Sequence, residues 1–200
     1  MIKKIDNFLN KITMYRLALY YLGSLIVWAV TLSFLGILPF SPFAILFSTL
    51  FIVTISLIAN KIFARIYKVP TNAESVYITA LILALIIQPI DSDSTINFFI
   101  LSILASIIGT ASKYLIAIKK KHLFNPVAIA IVLPALFLNV SASWWVATPW
   151  MVPFIVVGGL LVARKTQRFG LVISFLVFAL ATILVPYIII KYGLIVYNVP

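Results

Sequence analysis

Seven apolar segments, at residues 17–38, 42–60, 73–89, 96–118, 126–140, 146–163 and 169–190, take up most of this 200-residue chain. A helix of about 20 apolar residues matches the hydrocarbon thickness of a bilayer. Inside lipid such a stretch must satisfy its own backbone N–H and C=O groups, and a helix does so within one segment. The runs are continuous rather than alternating, which favours helices over barrel strands. Four acidic and fifteen basic side chains, 10% of the chain against 64% hydrophobic residues, cannot coat a soluble domain of this size. The sequence therefore predicts an all-α, polytopic transmembrane bundle of about seven helices over residues 17–200, with the third and fifth helices short. Residues 1–16, "MIKKIDNFLNKITMYR", mix charged and apolar side chains and lack a small-residue cleavage site. They are predicted to form an amphipathic, interfacial lead-in.

Charge sets the orientation. If the N-terminus is cytoplasmic and every stretch crosses, all basic residues except Lys113 and Lys191 fall in cytoplasmic segments, while Asp91 and Asp93 fall outside. This is the positive-inside pattern, and it predicts a multi-pass protein of the cytoplasmic (inner) membrane. It also accounts for the net charge of +11 without a nucleic-acid partner; the partner it implies is the bilayer. The same rule makes residues 126–140 cross, since otherwise Arg164, Lys165 and Arg168 would lie outside. Trp144, Trp145 and Trp150 are predicted as aromatic anchors at the outer interface. The odd number of crossings leaves the end "YGLIVYNVP" outside without a polar tail, so a longer protein is expected.

The stretch "KKKHLFNPVAIAIVLPAL" (119–136) begins a helix at a defined place. Asn125 is a good N-cap, and Pro126 fits the first helical position. Phe124 and Ile129 are spaced as a hydrophobic staple. Lys119, Lys120, Lys121 and His122 precede this positively polarised end. Two readings follow: a capped helix after a basic loop, or an anion site for a cofactor phosphate. The third stretch begins in the same style, where Thr71-Asn72-Ala73-Glu74 is a T-x-x-E capping box that casts Glu74 as a cap. Paired short helices can bring backbone dipoles to one buried site, or can simply be short helices in a thick bundle. Lys113 lies close enough to the basic cluster to snorkel. Gly158-Gly159 and the set Ala105, Gly109 and Ser112 favour close helix contact.

Several chemistries are excluded. With no cysteine there are no disulfides, no thiolate chemistry and no iron–sulfur cluster ligated by this chain. A single histidine cannot supply a bis-histidine haem. No Asp or Glu falls in the middle of a stretch, so a carboxylate proton relay is not expected. The 28 aromatic residues are scattered and form no recognisable cofactor box in the sequence.

Three segments together, "ESVYITALILALIIQP", "ASIIGTASKYLIAIKKKHLFNPVAIAIV" and "PFIVVGGLLVARKTQRFGLVISFLVFALA", resemble the NqrB/RnfD family. These are membrane subunits of the sodium-pumping NADH:quinone oxidoreductase and of the Rnf ferredoxin:NAD oxidoreductase. The resemblance covers about residues 70–182 and rests on Lys121, His122, Phe124, Asn125 and Pro126 in register with both neighbouring segments. It implies a ten-helix fold of two inverted five-helix repeats, of which this chain would hold the first repeat and the start of the second. It further implies electron transfer through a flavin (FMN or riboflavin), a cytoplasmic flavin/iron–sulfur reductase as partner subunit or fused domain, and coupling to ion transport. The family can carry FMN on threonine in an S-G-A-T motif, which this chain lacks; its nearest match is Thr148 in "WWVATPW". For a flavin held without a covalent link, the expected contacts are Lys113, Lys121, His122, Asn125, Thr71 and Glu74.

Three functions from different classes are thus carried forward. The first is a membrane electron-transfer subunit, a component of an oxidoreductase rather than an enzyme alone. The second is a transporter or channel for a small neutral solute, which the scarcity of buried charge favours over a charged one. The third is a membrane scaffold that docks a soluble reductase on its basic face.

Overall fold

A computed structural model describes residues 9–70, 73–91, 95–118, 121–122, 124–138, 142 and 144–191. The described architecture is helical: α1 (Met14–Phe34), α2 (Pro42–Tyr67), α3 (Ala73–Ile86), α4 (Thr95–Leu115), α5 (Pro126–Leu138), α6 (Val152–Thr166) and α7 (Phe169–Lys191). Between α4 and α5, β1 (Ala117–Ile118) and β2 (Lys121–His122) form a two-residue antiparallel ladder that pairs Ala117 with His122 and Ile118 with Lys121. The basic turn predicted as a plain loop is therefore framed by a hairpin. Four helices, α1, α2, α4 and α7, are long and apolar enough to cross a membrane. This fits a membrane protein.

Local chemistry sets the helix ends. Ser41 caps α2 by accepting from the Ala44 N–H at 3.1 Å, with Pro42 in the first turn. The α1–α2 turn needs a left-handed residue, and Gly36 takes it at φ 70°. The Ser33 hydroxyl donates to the Phe40 carbonyl and ties the turn to α1. Helix α2 runs past the break predicted at residue 60, ending at Tyr67. Nothing between Asn60 and Pro70 breaks a helix, and its basic residues extend the helix as well as they would a loop. Lys68 ends it in the left-handed region, its N–H donating to Arg65 O, while Val69 N–H reaches Ala64 O. Residues 144–151 are turns, so α6 begins six residues later than the apolar stretch at 146 suggests.

Helix α3 is the hub. Only 14 residues long, it touches α1, α2, α4 and α5, and it buries Val76, Thr79, Ala80, Leu83, Ala84 and Leu85. Protein meets it on four flanks, while Ala73 and Tyr77 near its start stay exposed. Helices α2 and α4 pack on each other, where the Ser106 hydroxyl donates to Ile52 O at 3.5 Å, and Ser48, Ser56 and Ser102 on the same two helices are buried as well. Gly109 brings α4 against two neighbours at once: a Cβ there would lie 3.2 Å from Ala130 Cβ, 3.3 Å from Pro126 O and 3.7 Å from Thr79 Cγ2. Helix α6 packs on α1, where the Tyr21 hydroxyl donates to Ile155 O at 3.2 Å. Helix α7 meets α6, and none of its membrane-length window is buried.

Candidate functional site

The capped start of α5 forms as read. Asn125 Oδ1 accepts from the Val127 N–H at 3.0 Å, and Ile129 N–H closes the first turn on Asn125 O. Phe124 and Ile129 line one apolar groove of 380 Å³ with Ile116, Ala128, Val132 and Leu133, which is where a staple would place them.

The start of α3 lies at the same end of the bundle. Helix α4 links the two: Gly109 touches Pro126 of α5 and Thr79 of α3, and one turn later Lys113 reaches the first turn of α3. Lys113 Nζ donates to Ser75 O at 2.8 Å and to Ser75 Oγ at 3.2 Å. The expected snorkelling is thus replaced by an inward, half-buried pose. The lysine stem is long enough to point either way, and the Ser75 carbonyl and hydroxyl offer two acceptors within the bundle. Glu74 Oε1 accepts instead from Arg16 Nε of α1 at 3.4 Å, a solvent-exposed pair worth little by itself. Its predicted capping partner, Thr71, lies outside the described residues, as do Lys119 and Lys120. Lys121 and His122 are placed through their backbone, in β2.

The result is an electropositive corner. A helix N-terminus carries about half a positive charge. Here an ammonium stands against that end of α3, and the single carboxylate of its first turn is engaged by Arg16. Sequence reading missed two parts of the corner. Ser75 was passed over because a serine in the first turn of a helix carries no distinctive signal. The other is an aromatic stack in which Tyr114 lies between Phe63 and Tyr67, centroids 5.8 and 5.7 Å away. The Tyr114 hydroxyl donates to Asn60 Oδ1 at 2.7 Å, which satisfies a buried amide. Tyr114 is 47 positions from Tyr67, so only the pairing of α2 with α4 assembles the stack.

Thr148 lies elsewhere. Trp145, at the other end of α3, donates its indole N–H to Ala84 O at 3.0 Å. Ser75 and Ala84 are nine residues apart on α3, which at about 1.5 Å per residue puts the carbonyls held by Lys113 and Trp145 roughly 14 Å apart along the helix, and Thr148 follows Trp145 by three residues. Thr148 N–H donates to Val146 O, and its carbonyl accepts from Met151 and Val152, so the residue organises the approach to α6. Its Oγ1 is buried with no hydrogen-bond partner among the described residues, and is closed to a bulky phosphoester in this conformation. Trp145 also corrects the aromatic-anchor expectation. It is 8% exposed and packs edge-on against Phe40, whereas Trp144 and Trp150 are exposed. An indole N–H is the donor that a helix-end carbonyl such as Ala84 O requires, and that need draws Trp145 inward.

Fold and site together define a helical protein that fits a membrane, with two short helices, one of them capped by Asn125, opening at one electropositive corner. Comparison with protein-family models, with curated proteins and with solved structures finds no match for this chain. Among the described residues no group of histidine, cysteine and acidic side chains could hold a metal ion.

Proposed function

We propose that the chain is a membrane-embedded electron-transfer subunit of NqrB/RnfD type. In this reading all seven helices belong to the membrane domain, the N-terminus is cytoplasmic, and the chain forms part of a ten-helix inverted-repeat bundle in the inner membrane. The observation that carries it is the corner formed by Lys113, the start of α3 and the start of α5. A lysine against a helix N-terminus adds like charge to like, an arrangement that an anion offsets. The phosphate of a flavin mononucleotide fits that chemistry, and Tyr114, next to Lys113 on α4, stacks on Tyr67 of α2. The flavin, when bound, would supply the electron-carrying chemistry, and the protein its position and electrostatics. Lys113, Asn125 and the backbone of β2 would hold its phosphate end, with Lys121, His122, Thr71 and Glu74 as neighbours in sequence. Thr148 is not proposed as an attachment point, because its hydroxyl is buried and its segment packs at the other end of α3. Electrons would arrive from a cytoplasmic flavin/iron–sulfur reductase, and their passage would be coupled to ion movement.

The test is the spectrum of the purified protein. Flavin absorbance, with FMN or riboflavin released on denaturation and lost in Lys113→Met, supports the reading. A colourless protein that takes up no added FMN refutes it.

A neutral-solute pathway is the second reading, favoured by one observation. The buried hydroxyls of Ser56 on α2 and Ser102 on α4 have no hydrogen-bond partner among the described residues. Uptake of a small polar solute into proteoliposomes without any redox partner, abolished by Ser102→Val, would establish it.

A further inference from the structure

One face of helix α2 changes its chemistry abruptly along its length. Phe43, Phe47, Leu50, Thr54, Ile58, Lys61 and Arg65 recur at intervals of three or four residues, and all are exposed. At 100° per residue these positions fall within an arc of about 80°. The opposite side of the helix buries Ile45, Ile52 and Ala59. The exposed face is thus apolar, Thr54 aside, from Phe43 to Ile58 and cationic from Lys61 onward, with Lys68 as a third cation at the C-cap. Lys61 follows Phe43 by eighteen residues, a rise of roughly 27 Å, close to the hydrocarbon thickness of a bilayer. These cations are also uncompensated. The side chains of Lys61, Arg65 and Lys68 are exposed and make no hydrogen bond or ion pair among the described residues. Arg16, Lys113 and Lys165, by contrast, are engaged by Glu74, Ser75 and Leu9. The C-terminal end of α2 carries about half a negative charge, which offsets less than one of the three cations.

We propose that the basic end of α2 binds an anionic phospholipid, with its phosphate between Lys61 and Arg65 and an acyl chain along Ile58, Thr54 and Leu50. Charge complementarity selects the occupant. A zwitterionic lipid would bring a choline or ethanolamine cation toward a cationic stripe, whereas phosphatidylglycerol brings a net negative charge. Residues four apart on a helix have Cβ atoms about 5–6 Å apart, so both long side chains can converge on one phosphate. The guanidinium offers a planar pair of donors to its oxygens, and the ammonium adds a point charge. A single helix face sets a lipid apart from a soluble acidic protein. The cations continue, without a turn of the helix between, the face that acyl chains would cover, and they stand at headgroup depth. The inference rests on α2 crossing a bilayer, which is part of the membrane reading above. It does not depend on electron transfer, and a protein without flavin would still show it.

Native mass spectrometry of the full chain in detergent tests it, with added dioleoyl phosphatidylglycerol, dioleoyl phosphatidylcholine, glycerol 3-phosphate or a decaglutamate peptide. The expected result is retention of phosphatidylglycerol over phosphatidylcholine by about fivefold for each cation in contact, with the two soluble probes retained far less well. Lys61→Gln/Arg65→Gln should remove most of that preference. Lys61→Arg/Arg65→Lys, which keeps both charges, should retain it. Lys11→Gln/Arg168→Gln removes equal charge from outside α2 and should leave it unchanged. Equal retention of the two lipids overturns the proposal. So does an unchanged preference in Lys61→Gln/Arg65→Gln, or an equal loss in Lys11→Gln/Arg168→Gln. Decaglutamate retained as strongly as phosphatidylglycerol would assign the stripe to an acidic protein, and glycerol 3-phosphate retained as strongly would reduce it to a soluble-anion patch. Either outcome overturns the lipid assignment and leaves the membrane reading in place. A chain that stays monodisperse without detergent removes the membrane reading itself, and the proposal with it.

Discussion

Replacing Gly158 with alanine puts the α1–α6 seam under a load that can be worked out from the geometry. The new Cβ would fall 1.8 Å from Tyr21 Cε2, 2.2 Å from Cδ2 and 2.5 Å from Cζ. Carbon atoms sit comfortably at about 3.5–4.0 Å, so the ring must retreat by roughly 1.5–2 Å. Such a shift breaks the 3.2 Å bond from the Tyr21 hydroxyl to Ile155 O, on the same helix as the clash. Overpacking of this kind costs about 1–3 kcal/mol, and the lost hydrogen bond adds about 1 kcal/mol. Alanine's better helix propensity returns up to about 1 kcal/mol. The net expectation is a loss of about 1–3 kcal/mol. Gly159 is the internal control: its Cβ would meet nothing within 4 Å, so Gly159→Ala should be neutral or slightly stabilising. Unfolding by SDS titration in mixed micelles, followed by tryptophan fluorescence, reads the seam directly, because Trp28 of α1 stacks on Phe154 of α6 at 4.5 Å. In the Gly158→Ala background, Tyr21→Ala should recover part of the loss, a coupling that a double-mutant cycle measures. If Gly158→Ala proves as stable as Gly159→Ala, the close approach of Tyr21 is wrong, and with it the packing of α6 on α1.

Trp145→Phe keeps the ring but orphans the Ala84 carbonyl, and should cost about 1–3 kcal/mol in the same unfolding assay; Trp144→Phe, on an exposed side chain, should cost little. Asn125→Ala removes the cap of α5 and should destabilise by about 1 kcal/mol, with Asn125→Asp retaining most of the stability. Lys113→Met removes two hydrogen bonds together with the cost of desolvating the ammonium, so stability should change by less than about 1.5 kcal/mol, while retention of added FMN falls sharply. Gly109→Leu, on a glycine already at the contact limit of Ala130 and Pro126, should prevent α5 from docking and leave little folded protein by size-exclusion chromatography.

The helix-forming stretches and the starts of α2 and α5 were legible because they rest on local chemistry. Long apolar runs need no partner to be recognised, and Asn125-Pro126 and Ser41-Pro42 state their own geometry. What the sequence could not convey was which side of each helix meets protein. Helices apolar all round lack the stripe that separates core from exterior in a soluble bundle, and Trp144 and Trp145, adjacent in the turns before α6, have no period to tell them apart although Trp145 is a core residue. The end of α2 was misplaced because lysine and arginine continue a helix as readily as they line a loop. Half of the basic corner was visible, in Lys113 and Asn125. The acceptor atoms of Ser75 and the Phe63–Tyr114–Tyr67 stack arise only when α2, α3 and α4 meet.

One consequence concerns motion. Helix α3 is clasped at one end by Lys113 on Ser75 and at the other by the Trp145 indole on Ala84. A slide of one residue along its axis is about 1.5 Å, which the lysine stem could follow but the rigid indole could not. Axial shear of the hub is therefore blocked by a single tryptophan.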